Sequence, residues 1–554
     1  MKILNNVRLY RPFEKESPDD IFHIQIEGEK IKSIDKGLTK ETGTHVIDYD
    51  QRVVSVGFND SHMHLLRYGL MNKDIDLRVI TSFEEMKTSV TNLHNEEKMK
   101  EHDWIVGRGL IDSQLADLDH VLTADDLEEL GYKNPAFFLH DDGHECVVNH
   151  TALKILQQEP ALLRDHEQFI ETDDNGNWTG RFKDTAVHFI KFNFRQKSEE
   201  EVYEAVEDAL FYLLSKGITS THTDDLNFVG SYDRLWNAYL RLEKVGHLKI
   251  DVFLHHYIYN INDLRNFLRS TDKRTGDGSK RVKVGAIKIF LDGTQRLHTS
   301  ALRQPYHDKP DTSGNLIYTQ EELDDMVQTA HENGMQVAMH AIGDRAVEQA
   351  INALEKVDTS KLRHRIIHAQ VLAPDLLERL QKVKPYLETQ PGFIMEEYKQ
   401  TVKWVGIDRE RFCNPWNTVD KMGIPFTLSS DNPIGPLTPI TGIFAAVNRT
   451  DTDGYPLNGG WIPEERLSID ASFRGYSQSA AELEFREHEK GRLKPGYQAD
   501  LIILSDHPKE VEKGQLERIK VLETWSRGKQ VFKEKENKAL SDLFAKYSQS
   551  LHRK

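Results

Sequence analysis

Eight short apolar segments recur along the middle of this 554-residue chain, separated by longer amphipathic stretches. The segments are 53–58, 218–222, 250–255, 284–290, 336–340, 364–368, 386–390 and 426–431. In most of the intervals, apolar residues recur at helical spacing, and several intervals end in glycine, a common helix C-terminus. This alternation predicts a parallel sheet with crossover helices.

Eight strands in this alternation predict an α/β fold, a (β/α)8 barrel of the TIM type. An open doubly wound sheet is the alternative, but no G-x-G-x-x-G motif follows an early strand. Residues 67–198 interrupt the rhythm because they separate the first two strands by far more than a βα loop needs. We predict that they form an insertion between strands 1 and 2, over the barrel mouth.

Both ends of the chain have a different pattern. Residues 1–55 and 488–540 contain short alternating strand-like segments separated by turns. We therefore predict one small β-rich domain built from the two ends, with residues 56–487 forming the barrel.

Composition narrows the functional classes. The formal net charge of −17 disfavours binding to nucleic acid or to anionic membranes, and no apolar run approaches the roughly 18 residues of a membrane span. The N-terminus lacks the apolar segment of a secretion signal, so we expect a cytoplasmic location. The two cysteines, Cys146 and Cys413, are far apart, which argues against a disulfide framework and a thiolate zinc site. A bound metal would need nitrogen and oxygen ligands.

Candidate ligands stand at the ends of the predicted strands, where barrels carry their functional groups. His62 and His64 follow the first strand, and residues i and i+2 of a strand face the same side. This pair alone is weak evidence in a chain with 25 histidines. The other strand ends supply His222, Lys288, His340, His368 and Asp431. Because buried histidine and aspartate are costly unless paired or ligated, the joint pattern predicts a divalent metal site.

The motifs extend this pattern over nearly the whole chain. They include "GFNDSHMH", "DGHECVVNHTAL", "GAIKIFLDGT", "GMQVAMHAIGDRAV", "RHRIIHAQ" and "GRLKPGYQADLIIL". In these motifs and their order the chain resembles the amidohydrolase superfamily, in particular its YtcJ-like branch (amidohydrolase 3), which includes N-substituted formamide deformylases. The resemblance implies a barrel with a small β-sandwich domain from both termini, one or two divalent ions, commonly zinc, and a small-molecule substrate. It is also compatible with a homodimer, although no residue locates the interface.

The resemblance also implies a ligand set. Carried over residue by residue, the ligands would be His62, His64, His340, His368 and Asp431. Lys288 matches the position of a carbamylated lysine that bridges two metals in related enzymes. A lysine that is ion-paired inside the barrel is the alternative.

Other positions of the family pattern lie around that set. His144 belongs to a segment that the family places near the substrate, where it would donate to the carbonyl oxygen or to another polar group; a structural role is the alternative. Asp184 stands where relatives more often have glutamate. His222 and Asp224 are expected to support the site, because metal-bound histidines need oriented partners.

Two loops depart from the family pattern. Arg296 and His298 enlarge and charge the loop after the fourth strand, and Trp416 and Asn417 replace a bulky residue followed by arginine. Both loops are expected to shape substrate choice, so the family's known substrates are not transferred to this chain.

The predicted reaction is hydrolysis of an amide-type C–N bond, such as that of an N-substituted formamide, by metal-bound hydroxide. Asp431 would accept the proton of the water and deliver it to the leaving amine. A deaminase of aminoheterocycles with the same chemistry is one alternative. A metal-free scaffold or binding protein is another, although such a protein should have lost some of the ligands.

Overall fold

A computed structural model of the chain describes residues 1–15, 17–37, 45–71, 74–97, 104–194 and 197–534. The parts of the predicted ranges 1–55, 67–198 and 488–540 that fall in the gaps lie outside the described residues. The chain divides into two compact units. The first comprises Met1–His64, Leu210–Asp224 and Tyr239–Glu536, and the second comprises Leu65–Ala209, Asp225–Ala238 and Asn537–Lys554, the last lying outside the described residues.

Eight parallel strands of the first unit form the barrel sheet. In chain order, barrel strands 1 to 8 are Phe58–Met63, Ile218–Thr223, Asp251–Tyr257, Val282–Phe290, Val337–Ala341, Arg365–His368, Tyr386–Thr389 and Phe426–Leu428. Each pairs with its neighbour in the chain, without a reversal of strand order. Two backbone hydrogen bonds then join the segment after strand 8 to strand 1, from Asp431 N to His62 O and from His64 N to Asn432 O, each of 2.8 Å. This arrangement confirms the predicted TIM-type barrel and excludes the doubly wound sheet.

Helices connect the barrel strands, and the helix Gln320–Glu332 shows why they form where they do. Thr319 and Glu322 cap its start reciprocally, and the residues on its buried face are spaced at three and four. The other helices of this unit are Ile261–Ser270, Asp344–Leu354, Thr359–Leu362, Pro374–Val383, Ile394–Val405, Ile407–Glu410, Trp416–Lys421, Pro439–Asn448, Ile469–Gly475 and Gln478–Leu483. Two further helices, Glu199–Ser215 and Tyr232–Lys244, belong partly to each unit. None of the helices in the described residues has the length and apolarity needed to cross a membrane.

The predicted first strand, 53–58, is two strands in the structure. Val53–Val56 belongs to a different sheet, and barrel strand 1 begins at Phe58 and contains His62. Gly57 separates them, and a Cβ at this position would lie 2.5 Å from Thr219 Oγ1. The prediction ended the strand too early because polar residues follow Phe58. These polar residues are buried in the barrel with hydrogen-bond partners; for example, Ser61 Oγ donates to Thr427 Oγ1 at 2.8 Å.

The predicted end of strand 8 also needs correction. The strand stops at Leu428, and Asp431 lies three residues beyond it with a φ of +53°. A left-handed residue cannot continue a strand, so Asp431 is presented by a turn.

The second sheet of the first unit combines strands from both chain ends. Its strands are Lys2–Leu9, Phe22–Glu27, Lys30–Asp35, His45–Asp48, Val53–Val56, Leu501–Leu504, Val521–Ser526 and Lys529–Lys533. Buried apolar residues from both ends, among them Ile24, Ile503 and Trp525, form one core cluster. The joining of the two ends thus agrees with the sequence pattern, whereas a separate β-sandwich domain with the predicted bounds stays a prediction.

The second unit has its own sheet and core. The strands are Ile75–Asp76, Ile105–Leu110, Ala136–His140, Glu145–Val148, Ile170–Thr172 and Trp178–Lys183, and the helices are Leu65–Leu70, Phe83–Glu97, Ala124–Glu128, His150–Leu156, Pro160–His166 and Asp184–Phe194. A cluster of buried apolar residues that includes Leu77, Met86 and Phe138 packs within it. The role of residues 67–198 as an insertion over the barrel mouth stays a prediction.

A buried ion pair inside the barrel gives a test of the packing. Arg365 Nη1 donates to Glu388 Oε1 at 2.6 Å, and both side chains are fully buried. Replacing Arg365 by methionine should lower the free energy of unfolding by about 3–5 kcal/mol, because it leaves a buried carboxylate without its cation. Urea denaturation measures the change.

The matched control for this variant is Arg265→Met. The Arg265 side chain is 46% exposed where it pairs with Asp325, so its loss should change the free energy of unfolding by only about 0.5 kcal/mol. Equal losses in the two variants would contradict the importance of the buried pair.

Candidate metal centre

The predicted ligands lie at one end of the barrel, at the C-terminal ends of its strands. His62 lies in strand 1 and His64 follows it, Lys288 lies in strand 4, His340 in strand 5, His368 ends strand 6, and Asp431 follows strand 8. All are buried except His64, whose side chain is 13% exposed. Parallel strands of a closed barrel bring these ends together, although the residues are far apart in sequence.

The structure places the histidines around Asp431. Nε2 of His62 and Nε2 of His64 each lie 3.3 Å from Asp431 Oδ1. His62, His368 and Asp431 each offer one ligand atom, all within 4.8 Å of one another. The ring of His340 lies 4.7 Å from that of His368, measured between centroids. Four imidazoles and one carboxylate therefore line one small space.

Partners on Nδ1 determine which ring nitrogen of these histidines carries the proton. Nδ1 lies 2.6 Å from the Asp224 carbonyl oxygen in His64, 3.1 Å from Asp292 Oδ1 in His340, and 2.7 Å from Gln390 Oε1 in His368. A carbonyl, a carboxylate and an amide oxygen only accept hydrogen bonds, so Nδ1 donates in each case. In the neutral form of each ring, the lone pair is then on Nε2.

This protonation pattern makes the space electron-rich. The Nε2 lone pair of His64 faces Asp431 Oδ1, which accepts no hydrogen bond from the described residues. Burial lowers the pKa of His62 well below its usual range, so that ring is also neutral. Converging lone pairs without a proton between them are costly unless a cation lies among them. Four imidazole nitrogens and a carboxylate oxygen are a donor set that fits a divalent ion such as zinc.

Lys288 has the geometry of the ion-paired alternative. Its Nζ lies 3.8 Å from Asp224 Oδ2 and 4.6 Å from the centre of the Phe290 ring. Burial lowers the pKa of Lys288, and the charge of Asp224 opposes this effect. A lowered pKa increases the share of neutral amine, which is the form that reacts with CO2. Carbamylation of Lys288 stays a prediction.

His222 and Asp224 are expected to orient the metal-bound histidines, and the contacts they make differ from that expectation. The Asp224 backbone oxygen, not its carboxylate, orients His64. Within the described residues, His222 makes no hydrogen bond to the candidate ligand histidines. Its Nδ1 accepts from Arg365 Nη1 at 2.8 Å, and its Nε2 donates to Glu484 Oε1 at 3.0 Å. Burial lowers the pKa of His222 to about 4, so it joins these two charges as a neutral ring.

Three further residues hold the ligand histidines or approach them, and the sequence reasoning missed them. Asp292 accepts from His340 Nδ1 and from the backbone N–H groups of Ala301, Ile342 and Gly343. Gln390 orients His368, and Glu388 lies beside His62. All three lie at or just after the ends of strands 4 and 7. A polar residue at the C-terminal end of a barrel strand is the sequence signal that could have found all three.

His144 and Asp184 form a pair within the second unit. Nδ1 of His144 lies 2.9 Å from Asp184 Oδ1, and Asp184 N donates back to His144 O at 2.7 Å. Asp184 is buried and has a φ of +45°, an unfavourable conformation for a non-glycine residue. The Asp184 carboxylate thus orients the His144 ring through Nδ1. The predicted contact of His144 with substrate stays a prediction.

The two loops whose sequences differ from the family pattern contact other parts of the same chain. His298 Nε2 lies 3.0 Å from Asp308 Oδ1. Trp416 is buried against the guanidinium of Arg449, and Asn417 Nδ2 donates to the Glu464 carbonyl oxygen at 2.6 Å. These contacts give His298, Trp416 and Asn417 structural roles. An effect of the two loops, and of Arg296, on substrate choice stays a prediction.

Comparison with known proteins places this chain in a wider group. The model of the amidohydrolase family matches residues 45–532. YtcJ of Bacillus subtilis (strain 168), an amidohydrolase-family protein, is 30% identical over 531 residues, which cover 92% of this chain and 98% of YtcJ. The N-substituted formamide deformylase of Arthrobacter pascens is 24% identical over 497 residues, covering 87% and 89% of the two chains.

A solved structure supports the same grouping. The crystal structure of a metal-dependent hydrolase from Pyrococcus horikoshii OT3 superposes with a TM-score of 0.73 at 26% identity. The match covers 93% of this chain and 99% of that one. These comparisons confirm the resemblance seen in the motifs.

Proposed function

The chain belongs to the amidohydrolase family, and from that premise we propose that it is a metal-dependent hydrolase that cleaves an amide-type C–N bond. The observation that carries the proposal is the convergence of the Nε2 atoms of His62 and His64 on Asp431 Oδ1, with Nδ1 of His64 held by the Asp224 carbonyl oxygen. The substrate is a small molecule, and the name of the Arthrobacter pascens relative makes N-substituted formamides the first class to test.

His62, His64, His340, His368 and Asp431 would hold the ion. A divalent ion bound there supplies a Lewis acid that polarises a carbonyl and lowers the pKa of water. Asp431 accepts the proton of the attacking water, and the water oxygen bonds to the carbonyl carbon. The same carboxyl group then gives the proton to the amine nitrogen as the C–N bond breaks. A carboxylic acid, formate in the case of a formamide, and an amine are the products.

Lys288 determines how many ions the site would hold. As a carbamate it would offer two oxygen ligands and favour two ions. As an ammonium group it would keep its pair with Asp224 and favour one ion. His144 is proposed to contact the substrate. From its sequence, we also propose that the protein is a cytoplasmic homodimer that binds neither nucleic acid nor membranes.

A substrate comparison tests the reaction. Metal-loaded protein should release amine and formate from an N-substituted formamide, and it should release little ammonia from aminoheterocycles, because the similar proteins include an N-substituted formamide deformylase. Product analysis of both panels before and after chelation measures this. Ammonia release from the aminoheterocycles alone would replace the proposal with a deaminase, and failure to take up any divalent metal would replace it with a scaffold protein.

A further inference from the structure

One of the four ligand histidines lacks the Nδ1 contact that the others have. His64, His340 and His368 each have an oxygen acceptor at 2.6–3.1 Å from Nδ1. Nδ1 of His62 is buried and has no hydrogen-bond partner in the described residues. Because Nε2 of His62 is the atom that faces Asp431, Nδ1 must carry the proton when Nε2 binds a cation. That buried N–H requires an acceptor.

Glu388 offers the acceptor. Its Oε2 lies 3.8 Å from His62 Nδ1 and, like that atom, is buried without a hydrogen-bond partner. Glu388 lies on strand 7 and His62 on strand 1, with strand 8 between them, so the two side chains meet in the barrel interior. Two orphaned buried atoms of opposite hydrogen-bonding character thus face each other.

The other oxygen of Glu388 is already held. Arg365 Nη1 donates to Oε1 at 2.6 Å, and Arg365 is itself fixed by Gln336 Oε1 at 2.8 Å and by His222. The Arg365–Glu388 contact is a short, charge-assisted hydrogen bond inside the barrel. Oε1 is therefore committed to the arginine, whereas Oε2 is left for His62.

We propose that Glu388 is the positioning residue of His62: its Oε2 accepts the Nδ1 proton and so directs the Nε2 lone pair to the metal position beside Asp431. The inference rests on the proposed metal-dependent function. It completes the set, because each ligand histidine then has its own acceptor, a backbone oxygen for His64, an amide for His368 and a carboxylate for His62 and for His340.

The test measures metal binding by the full-length, metal-free protein. Glu388→Gln should weaken zinc affinity by about 10–100-fold in competition with a chelator, and should change the visible absorption spectrum of the protein loaded with Co2+. Glu484→Gln is the matched control. Glu484 is also buried and belongs to the same chain of contacts, but it touches His222 rather than a ligand histidine. Its zinc affinity and Co2+ spectrum should match those of the wild type.

The outcomes separate this inference from the proposed function. Wild-type zinc affinity in Glu388→Gln, or an equal weakening in Glu484→Gln, would overturn the positioning role while leaving the hydrolase proposal intact. A wild-type protein that binds no zinc would overturn both. If Glu388→Gln does not fold, Glu388→Asp replaces it, because the charge stays but moves away from His62. An affinity below that of the wild type would then support the role, and an unchanged affinity would overturn it.

Discussion

The double variant His62→Ala/His64→Ala should lose bound zinc, whereas the wild-type protein should carry about one or two ions per chain. Both residues direct Nε2 at Asp431 Oδ1 from 3.3 Å, so the change removes two of the direct nitrogen donors. Loss of a supporting contact already costs about 10–100-fold in metal affinity, and loss of two donors should cost more. Hydrolytic activity should fall below detection. Elemental mass spectrometry of gently purified protein measures the metal.

A histidine outside the site provides the control. The His488 side chain is 91% exposed, and His488→Ala should keep both zinc and activity. Because metal binding stabilises the folded state, added zinc should raise the unfolding temperature of the wild type and of His488→Ala but not of the double variant. Zinc retained in the double variant would show that the ion binds elsewhere, and the candidate centre would be wrong.

Asp431→Asn should lower kcat/KM by about 10²–10⁴-fold, which is the usual contribution of a positioned acid–base group. Asparagine has nearly the same shape as aspartate and can still offer an oxygen to a metal, but it cannot accept the proton of water. Bound zinc should therefore stay near the wild-type level, since the four histidines remain. Steady-state kinetics and metal analysis of the same preparation measure the two quantities.

The stability of the metal-free Asp431→Asn protein provides an independent check. Oδ1 of Asp431 faces the Nε2 atoms of His62 and His64, and an amide N–H at that position can donate to the Nε2 lone pair of a neutral ring. The metal-free variant should thus be no less stable than the metal-free wild type in urea denaturation. Full turnover with normal metal content would mean that another group moves the proton.

Sequence periodicity was a good guide to the barrel because each strand and helix has a local signal. Seven of the eight predicted barrel strands match observed ones to within a few residues, including 284–290, which is Val282–Phe290 in the structure. The exception is the first strand, where polar Asn59, Asp60 and Ser61 are buried. Apolar patterns cannot show that such residues have partners across a barrel, because those partners come from distant segments.

For the candidate site, too, some features follow from the sequence and others only from the tertiary structure. The sequence by itself identified the candidate ligands, since histidine, lysine and aspartate at successive strand ends, in the order of the family motifs, leave few other uses for buried polar groups. It also determined that nitrogen and oxygen, not sulfur, would hold a metal, because the chain has only two cysteines.

Only the tertiary structure decided which hydrogen-bond acceptor faces Nδ1 of each candidate ligand histidine. The acceptors that place the protons of His64, His340 and His368 lie 160, 48 and 22 residues away in sequence. The Arg365–Glu388 pair behind His62 likewise joins strands 6 and 7 across the barrel interior. The protonated nitrogen of a buried imidazole depends on which atom faces it, and closure of the barrel alone brings those atoms into contact.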